Sequence, residues 1–142
     1  MLHATNPKAK YDYDIKDFLD AGLVLAGSEV KSVKGGNVSL RGSYVAVGPK
    51  GANLINCHIG PYKYAPNTDY DPTHSRKLLL KKPEINRLLG KETGLVIIPL
   101  EIYSTSRGLI KLKIGVGRAR KKLDKREYIK KRDTEKEIRR SI

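Results

Sequence analysis

The side chains able to do covalent or metal chemistry in this sequence are few and scattered. The three histidines, His3, His58 and His74, fall in different segments, and no His-x-x-x-His or Cys/His spacing occurs. The single cysteine, Cys57, can form neither an intramolecular disulfide nor a thiolate zinc site, and reads as a small core residue of a chain in a reducing compartment. Gly115-Val116-Gly117-Arg118 is glycine-rich and basic, but it lacks the spacing of a phosphate-cradling loop, and a close-packed barrel corner explains it more simply. Asp12, Asp14, Asp17 and Asp20 look like a carboxylate set, yet their spacing distributes them around a helix, where capping and solvation are their expected roles. No catalytic constellation and no cofactor site emerges, and the reading is that the chain is not an enzyme. What it does offer is cations beside aromatic rings. Tyr62, Lys63, Tyr64, Tyr70, Arg76 and Lys77 combine groups that stack on bases with groups that neutralise phosphates, as readers of single-stranded or loop RNA do.

The overall charge agrees with such a partner. The chain has 142 residues with 29 Lys plus Arg against 15 Asp plus Glu, a formal net charge of +14. Half of that excess falls on residues 118–142, which divides the chain into a mildly basic body, residues 1–118, and a strongly basic tail, residues 119–142. From Lys130 to Glu137 the tail has no apolar group larger than the Thr134 methyl, so nothing offsets the entropy of ordering it, and it is expected to be disordered when free. It contains no Gly or Pro, and Glu127 with Lys131 and Glu135 with Arg139 are acid-before-base pairs at helical spacing. A polyanion could therefore draw it into a helix; the blander alternative is a solubilising extension. No apolar run is long enough to span a membrane, and the N-terminus has no signal-peptide or transit-peptide pattern, which predicts a cytoplasmic protein without a membrane partner.

The body must position these groups with a small core. Tyr11 to Ala21 has Ile15, Phe18 and Leu19 at helical spacing before Gly22 and predicts a short helix, followed by a short strand over Leu23 to Ala26. Ser28 to Val33 before Gly35-Gly36 predicts a second helical turn. Strands are expected over 43–47 and 53–59, separated by the turn Gly48-Pro49-Lys50-Gly51, and a long irregular loop over 61–77. Pro83 opens a third helix that ends at Gly90. Leu95 to Tyr103 and Leu109 to Val116 are strong strands, the second with Lys111 and Lys113 on a basic outer face. Short strands without βαβ alternation predict a mainly β fold. The specific expectation is an oligonucleotide-binding (OB)-type antiparallel β-barrel with about three short helices and a basic, flexible C-terminal tail.

Four ordered blocks, Gly27-Ser28-Glu29-Val30-Lys31-Ser32, Ser43-Tyr44-Val45, Arg76-Lys77-Leu78-Leu79-Leu80 and Asp124-Lys125-Arg126, together with the Asp20-Ala21-Gly22 step, resemble the SmpB family, the SsrA-binding proteins of bacterial trans-translation. The resemblance runs from Asn6 to the C-terminus. It implies an OB-type barrel that binds the tRNA-like domain of transfer-messenger RNA (tmRNA, or SsrA) and takes the place of its missing anticodon arm. It also implies delivery to stalled ribosomes by elongation factor Tu on the alanyl-charged RNA, and a tail that turns helical in the decoding centre and empty mRNA channel. Carried over by position, the RNA-binding residues of the body would be Asn6, Lys8, Tyr11, Asp20, Glu29, Lys31, Arg76, Lys77 and Leu79. Lys8, Lys31, Arg76 and Lys77 suit phosphates, Asn6 a base or sugar edge, and Tyr11 a stacking surface. Asp20 and Glu29 would orient a neighbouring base or backbone donor, or serve as structural caps. The ribosome-binding residues of the tail would be Lys121, Lys122, Asp124, Lys125, Arg126, Lys130, Lys131 and Arg132. Leu123 stands where the family often carries an aromatic residue or His, Tyr11 where His is common, Asp20 where Glu is common and Thr134 where some members have Trp. The protein is expected to act as a monomer. The alternative that composition leaves open is a ribosomal or general single-stranded RNA-binding barrel.

Overall fold

The structure is a computed structural model that describes residues 1–64, 69–91, 93–121, 126, 129 and 130. In chain order the elements are β1 (Leu2–Thr5), α1 (Ala9–Asp12), β2 (Tyr13–Leu23), α2 (Gly27–Lys34), β3 (Val38–Ser39), β4 (Tyr44–Gly48), β5 (Gly51–Ile55), β6 (His58–Ile59), β7 (Arg76–Leu79), α3 (Lys82–Leu89), β8 (Val96–Ser104) and β9 (Ile110–Ala119). The main sheet runs β1-β8-β9-β2-β7-β5-β4, antiparallel throughout, and β3 with β6 forms a small second ladder. β4 packs back against β8, so the sheet curls on itself around one core that includes Leu19, Val33, Leu54, Leu78, Ile102 and Leu112. The mainly β antiparallel architecture expected from the sequence is the one found.

Most of the local expectations hold. β4 and β5 form a hairpin in which Gly48 faces Gly51 across Pro49-Lys50. α2 and α3 occupy the second and third expected helices, and in both the Glu at the third position reaches back to the chain before the helix. Ala26 N–H donates to Glu29 Oε1 at 3.0 Å, and Lys81 N–H to Glu84 Oε1 at 2.9 Å. The strand expected over 53–59 is broken, because Asn56 takes φ 59°, a left-handed conformation that asparagine tolerates and that ends β5 before β6 begins.

The helix expected from Tyr11 is a correction. Only α1, Ala9–Asp12, is helical; Tyr13–Leu23 is an eleven-residue strand that absorbs the start of the short strand expected at Leu23. Its inward face carries Leu19, Ala21 and Leu23, and its outward face Phe18 and Asp20, a period of two. Ile15, Phe18 and Leu19 fit helical spacing equally well as letters, but β9 offers β2 a long ladder from Tyr13↔Ala119 to Gly22↔Lys111, and that pairing decides the conformation. The ladder carries a bulge between Ile15 and Asp17. It also explains the glycines of β9. A Cβ on Gly115 would meet Leu100 Cδ1 at 2.9 Å and Ile15 Cγ2 at 3.0 Å, and one on Gly117 would collide with the Asp14 carbonyl.

Candidate nucleic-acid interface

Two of the sequence blocks singled out above meet in a buried polar joint between α2 and β7. Glu29 and Arg76 are 4% and 1% exposed, far below what surface charges show. Arg76 Nε donates to Glu29 Oε2 at 2.9 Å, Nη1 to the Cys57 carbonyl, and Nη2 to Tyr70 Oη at 3.0 Å and to the Pro72 carbonyl at 2.9 Å. Tyr70 Oη donates to the Ile59 carbonyl at 2.8 Å and lies 3.0 Å from Glu29 Oε2, and His74 Nε2 sits 2.9 Å from the same carboxylate oxygen. Burial alone would push the Glu29 carboxyl up, but the Ala26 N–H and the bonds from Arg76 and His74 outweigh it and hold the group below its ordinary value. Arg76, read from its charge as suited to a phosphate, spends its donors inside the protein instead of presenting them on the surface. Every nitrogen of its guanidinium is committed inside the protein, where it ties α2, β7 and the segment through Tyr70 and Pro72 together. Glu29 belongs to the same joint. Beside them the Cys57 thiol, pushed up to about 11 by burial, donates to the Ser39 carbonyl and is held in its unreactive form.

The joint leaves β7 with one buried and one exposed face. Arg76 and Leu78 point in, while Lys77 and Leu79 point out. On the outer face Leu79 is 56% exposed and lies over Gly22 of β2, whose missing side chain makes room for it. The register continues the face across the sheet: Gly22 pairs with Lys111, Asp20 with Lys113, Lys111 with Tyr103 and Lys113 with Glu101. Phe18, half exposed, carries Lys113 Nζ 5.0 Å from its ring centroid. Asp20 accepts a 2.8 Å hydrogen bond from Tyr103 Oη, and burial first, then that bond and the nearby carboxylates, push the Tyr103 phenol up to about 12. Asp20, Lys77 and Leu79 are thus brought together with Phe18, Lys111 and Lys113, which sequence reasoning did not place in a site. Phe18 was hidden by its helical spacing. The two lysines were legible as a basic strand face, since they alternate with Ile110, Leu112 and Ile114.

A second exposed cluster flanks α2. Lys31 Nζ lies 5.3 Å from the Tyr62 ring centroid and Lys63 Nζ 4.8 Å from that of Tyr64, and the two rings meet edge to face at 5.4 Å. Tyr70, grouped with these by sequence, is instead part of the buried joint. Asn6, Lys8 and Tyr11 sit apart, around α1. Asn6 Nδ2 donates to the Pro99 carbonyl at 3.1 Å and its backbone N–H to Leu100, Lys8 is exposed, and Tyr11 is half-buried. The acidic set does not converge, for Asp14 pairs with Lys16 at 2.8 Å, Asp17 with Arg87 and Asp20 with Tyr103. Among the described residues no group of three or more His, Cys, Asp or Glu side chains could hold a metal, and no helix is long and apolar enough to cross a membrane. Of the tail residues, Lys121 is exposed, and Arg126 and Lys130 are exposed on helical backbone; Lys122, Asp124, Lys125, Lys131 and Arg132 lie outside the described residues. Arg120 is tied to the body, its N–H donating to the Asp12 carbonyl at 2.7 Å and its Nε to the Lys10 carbonyl at 3.0 Å.

A curled antiparallel sheet with lysines, a phenyl ring and an exposed leucine on one face defines the class, a basic, mainly β protein. Comparison with known proteins makes that class particular. The family model described as SmpB protein matches residues 3–142, and the chain belongs to that family. A protein named SsrA-binding protein from Lactobacillus acidophilus is 48% identical over 141 residues, covering 98% of this chain and 93% of that protein. Another of the same name from Coprothermobacter proteolyticus is 49% identical over 140 residues, covering 96% and 93%. A solved structure described as "tmRNA-SmpB: a journey to the center of the bacterial ribosome" superposes with a TM-score of 0.68 at 37% identity, covering 88% of this chain and 92% of that one.

Proposed function

We propose that this protein binds the tRNA-like domain of tmRNA through its barrel and brings it to stalled ribosomes in trans-translation. The observation that carries the reading is near-half identity, over essentially the whole chain, to proteins named for binding SsrA. The exposed face of Phe18, Asp20, Lys77, Leu79, Lys111 and Lys113, with Lys31 and the Tyr62–Tyr64 pair beside α2, supplies the two things an RNA partner needs, cations for phosphates and flat apolar groups for bases. Asn6, Lys8 and Tyr11 add a further contact region around α1. The buried Glu29–Arg76 joint ties α2, which carries Lys31, to β7, which carries Lys77 and Leu79.

In the same reading residues beyond Arg120 form a second, separately acting part. Lys121, Lys122, Asp124, Lys125, Arg126, Lys130, Lys131 and Arg132 would engage the decoding centre and the empty mRNA channel, helical there. Elongation factor Tu would deliver the monomeric protein on the alanyl-charged RNA, in the cytoplasm. The test is a reconstituted translation reaction on a messenger without a stop codon. Full-length protein is expected to support peptide tagging, and a chain ending at Arg120 to retain RNA affinity while tagging fails. Loss of RNA affinity on that truncation would refute the division of labour, and unchanged tagging would refute the role of the tail.

A further inference from the structure

The groove between the N-terminal turn and the β3–β4 connection encloses about 760 Å³, within the roughly 300–1,000 Å³ range of small-molecule sites. Its existence follows from two strand endings. β1 stops at Thr5, so the Val96–Ile98 stretch of β8 is laddered only to β9 among the described residues, and β4 approaches β8 without hydrogen-bonded pairing. The slot left between them is floored by Val96, Ile98 and Pro99. One wall is the segment carrying Asn6 and Lys8; the other is the connection carrying Arg41 and Tyr44.

That second wall is preformed. Ser43 N–H and Oγ both donate to the Leu40 carbonyl, Asn56 Nδ2 donates to the Gly42 carbonyl at 3.2 Å, and Gly42 takes φ 76°, a left-handed turn that favours glycine. Tyr44 begins β4 with its side chain out, 54% exposed against an apolar floor. Arg41 and Lys8 are both exposed, one on each wall, and neither has a carboxylate within ion-pair distance among the described residues. A slot of this size, with an aromatic ring, an apolar floor and one exposed cation on each wall, is complementary to one planar base with a phosphate on either side, the Asp12 carboxylate being the one acidic group in its lining.

We propose that the groove receives a single unpaired nucleotide of the bound RNA, its base on the Tyr44 ring and its flanking phosphates on Lys8 and Arg41. This rests on the RNA-binding reading above and adds Arg41 and Tyr44 to its residues. The probe is the tRNA-like domain of tmRNA, bound by full-length protein across a salt series, with an elongator tRNA alongside. Tyr44→Ala is expected to weaken binding about ten- to a hundredfold while Tyr44→Phe keeps the affinity, because the ring and not the hydroxyl is used. Arg41→Gln is expected to lower the slope of log affinity against log salt by about one. In the parent, 5-iodouridine placed in the unpaired positions of the RNA is expected to photocrosslink to Tyr44. All three side chains are exposed, so melting temperatures are expected to match the parent. Parental affinity and salt slope in both Tyr44→Ala and Arg41→Gln, with the parent still preferring the tRNA-like domain, would overturn the groove assignment and leave the function standing. A parent with no such preference, whose affinity nevertheless falls on Tyr44→Ala, would uphold the groove and refute the function.

Discussion

Replacing Arg76 by methionine separates a structural from an RNA-contacting role for the most buried cation of the protein. The change keeps an unbranched, flexible apolar stem and removes the guanidinium. Glu29 then loses its ion-pair partner, yet keeps the Ala26 N–H and the Tyr70 and His74 contacts, which places the cost at the lower end of the roughly 3–5 kcal/mol expected for breaking a buried pair. The Cys57 and Pro72 carbonyls each lose a charged donor, adding about 1 kcal/mol apiece. The expected loss is about 5 kcal/mol, a large part of the ~5–15 kcal/mol available to a domain of this size. Urea unfolding followed by far-ultraviolet circular dichroism at neutral pH reads it directly as a fall in the midpoint. A double-mutant cycle with Glu29→Gln is expected to give a combined loss smaller than the sum of the two single losses. A loss of less than about 1 kcal/mol for Arg76→Met would refute the reasoning, because that is the range of an exposed phosphate ligand whose removal leaves the free protein nearly unchanged.

Other perturbations test neighbouring parts of the argument. Because the Glu29 carboxyl is held below its ordinary value of 4.5, its contribution is complete above that pH and is lost as the pH falls through the depressed folded value. Melting curves from pH 7 down to pH 3 are therefore expected to drop less steeply in Glu29→Gln than in the parent, and parallel profiles would contradict this. Gly117→Ala drives a methyl into the Asp14 carbonyl at the β2 bulge and is expected to cost about 1–3 kcal/mol by chemical denaturation; a neutral change would mean that the ladder relaxes freely there. Phe18→Ala and Lys113→Ala are expected to leave stability within about 0.5 kcal/mol. Phe18→Ala should weaken binding of the tRNA-like domain about tenfold or more through lost stacking. Lys113→Ala should reduce the salt slope by about one, and unaltered RNA titrations for both would remove the outer sheet face from the interface.

Much of this fold is legible from letters alone, since β8 and β9 alternate cleanly, the glycine-flanked Pro49-Lys50 turn marks the β4–β5 hairpin, and Pro83 and Gly90 bracket α3. β2 is not, because Ile15, Phe18 and Leu19 satisfy two periods at once and only the partner strand β9 chooses between them. The same ambiguity hid Phe18 from the interface. The burial of Arg76 escaped notice for a different reason. Its charge and its neighbour Lys77 suggest a phosphate contact, although the alternation Arg76-Lys77-Leu78-Leu79 already assigns it to the face of buried Leu78. What no local pattern supplies is the acceptor set that makes burial of that charge tolerable, drawn from Glu29, Cys57, Tyr70 and Pro72. Arg41 and Tyr44 escaped notice because their groove is made by two strands that end short of each other, a property of tertiary structure.

Selectivity for one structured RNA separates this protein from a general basic barrel, and a salt-series titration measures it. Purified full-length protein is titrated with the tRNA-like domain of tmRNA, an elongator tRNA and an unstructured RNA of equal length, from low to high ionic strength. Tight binding to the first is expected to outlast the other two as salt rises, because shape and base contacts persist after counterion-driven attraction fades. Three equal affinities that fall together would contradict it and leave a basic barrel that binds RNA by charge alone.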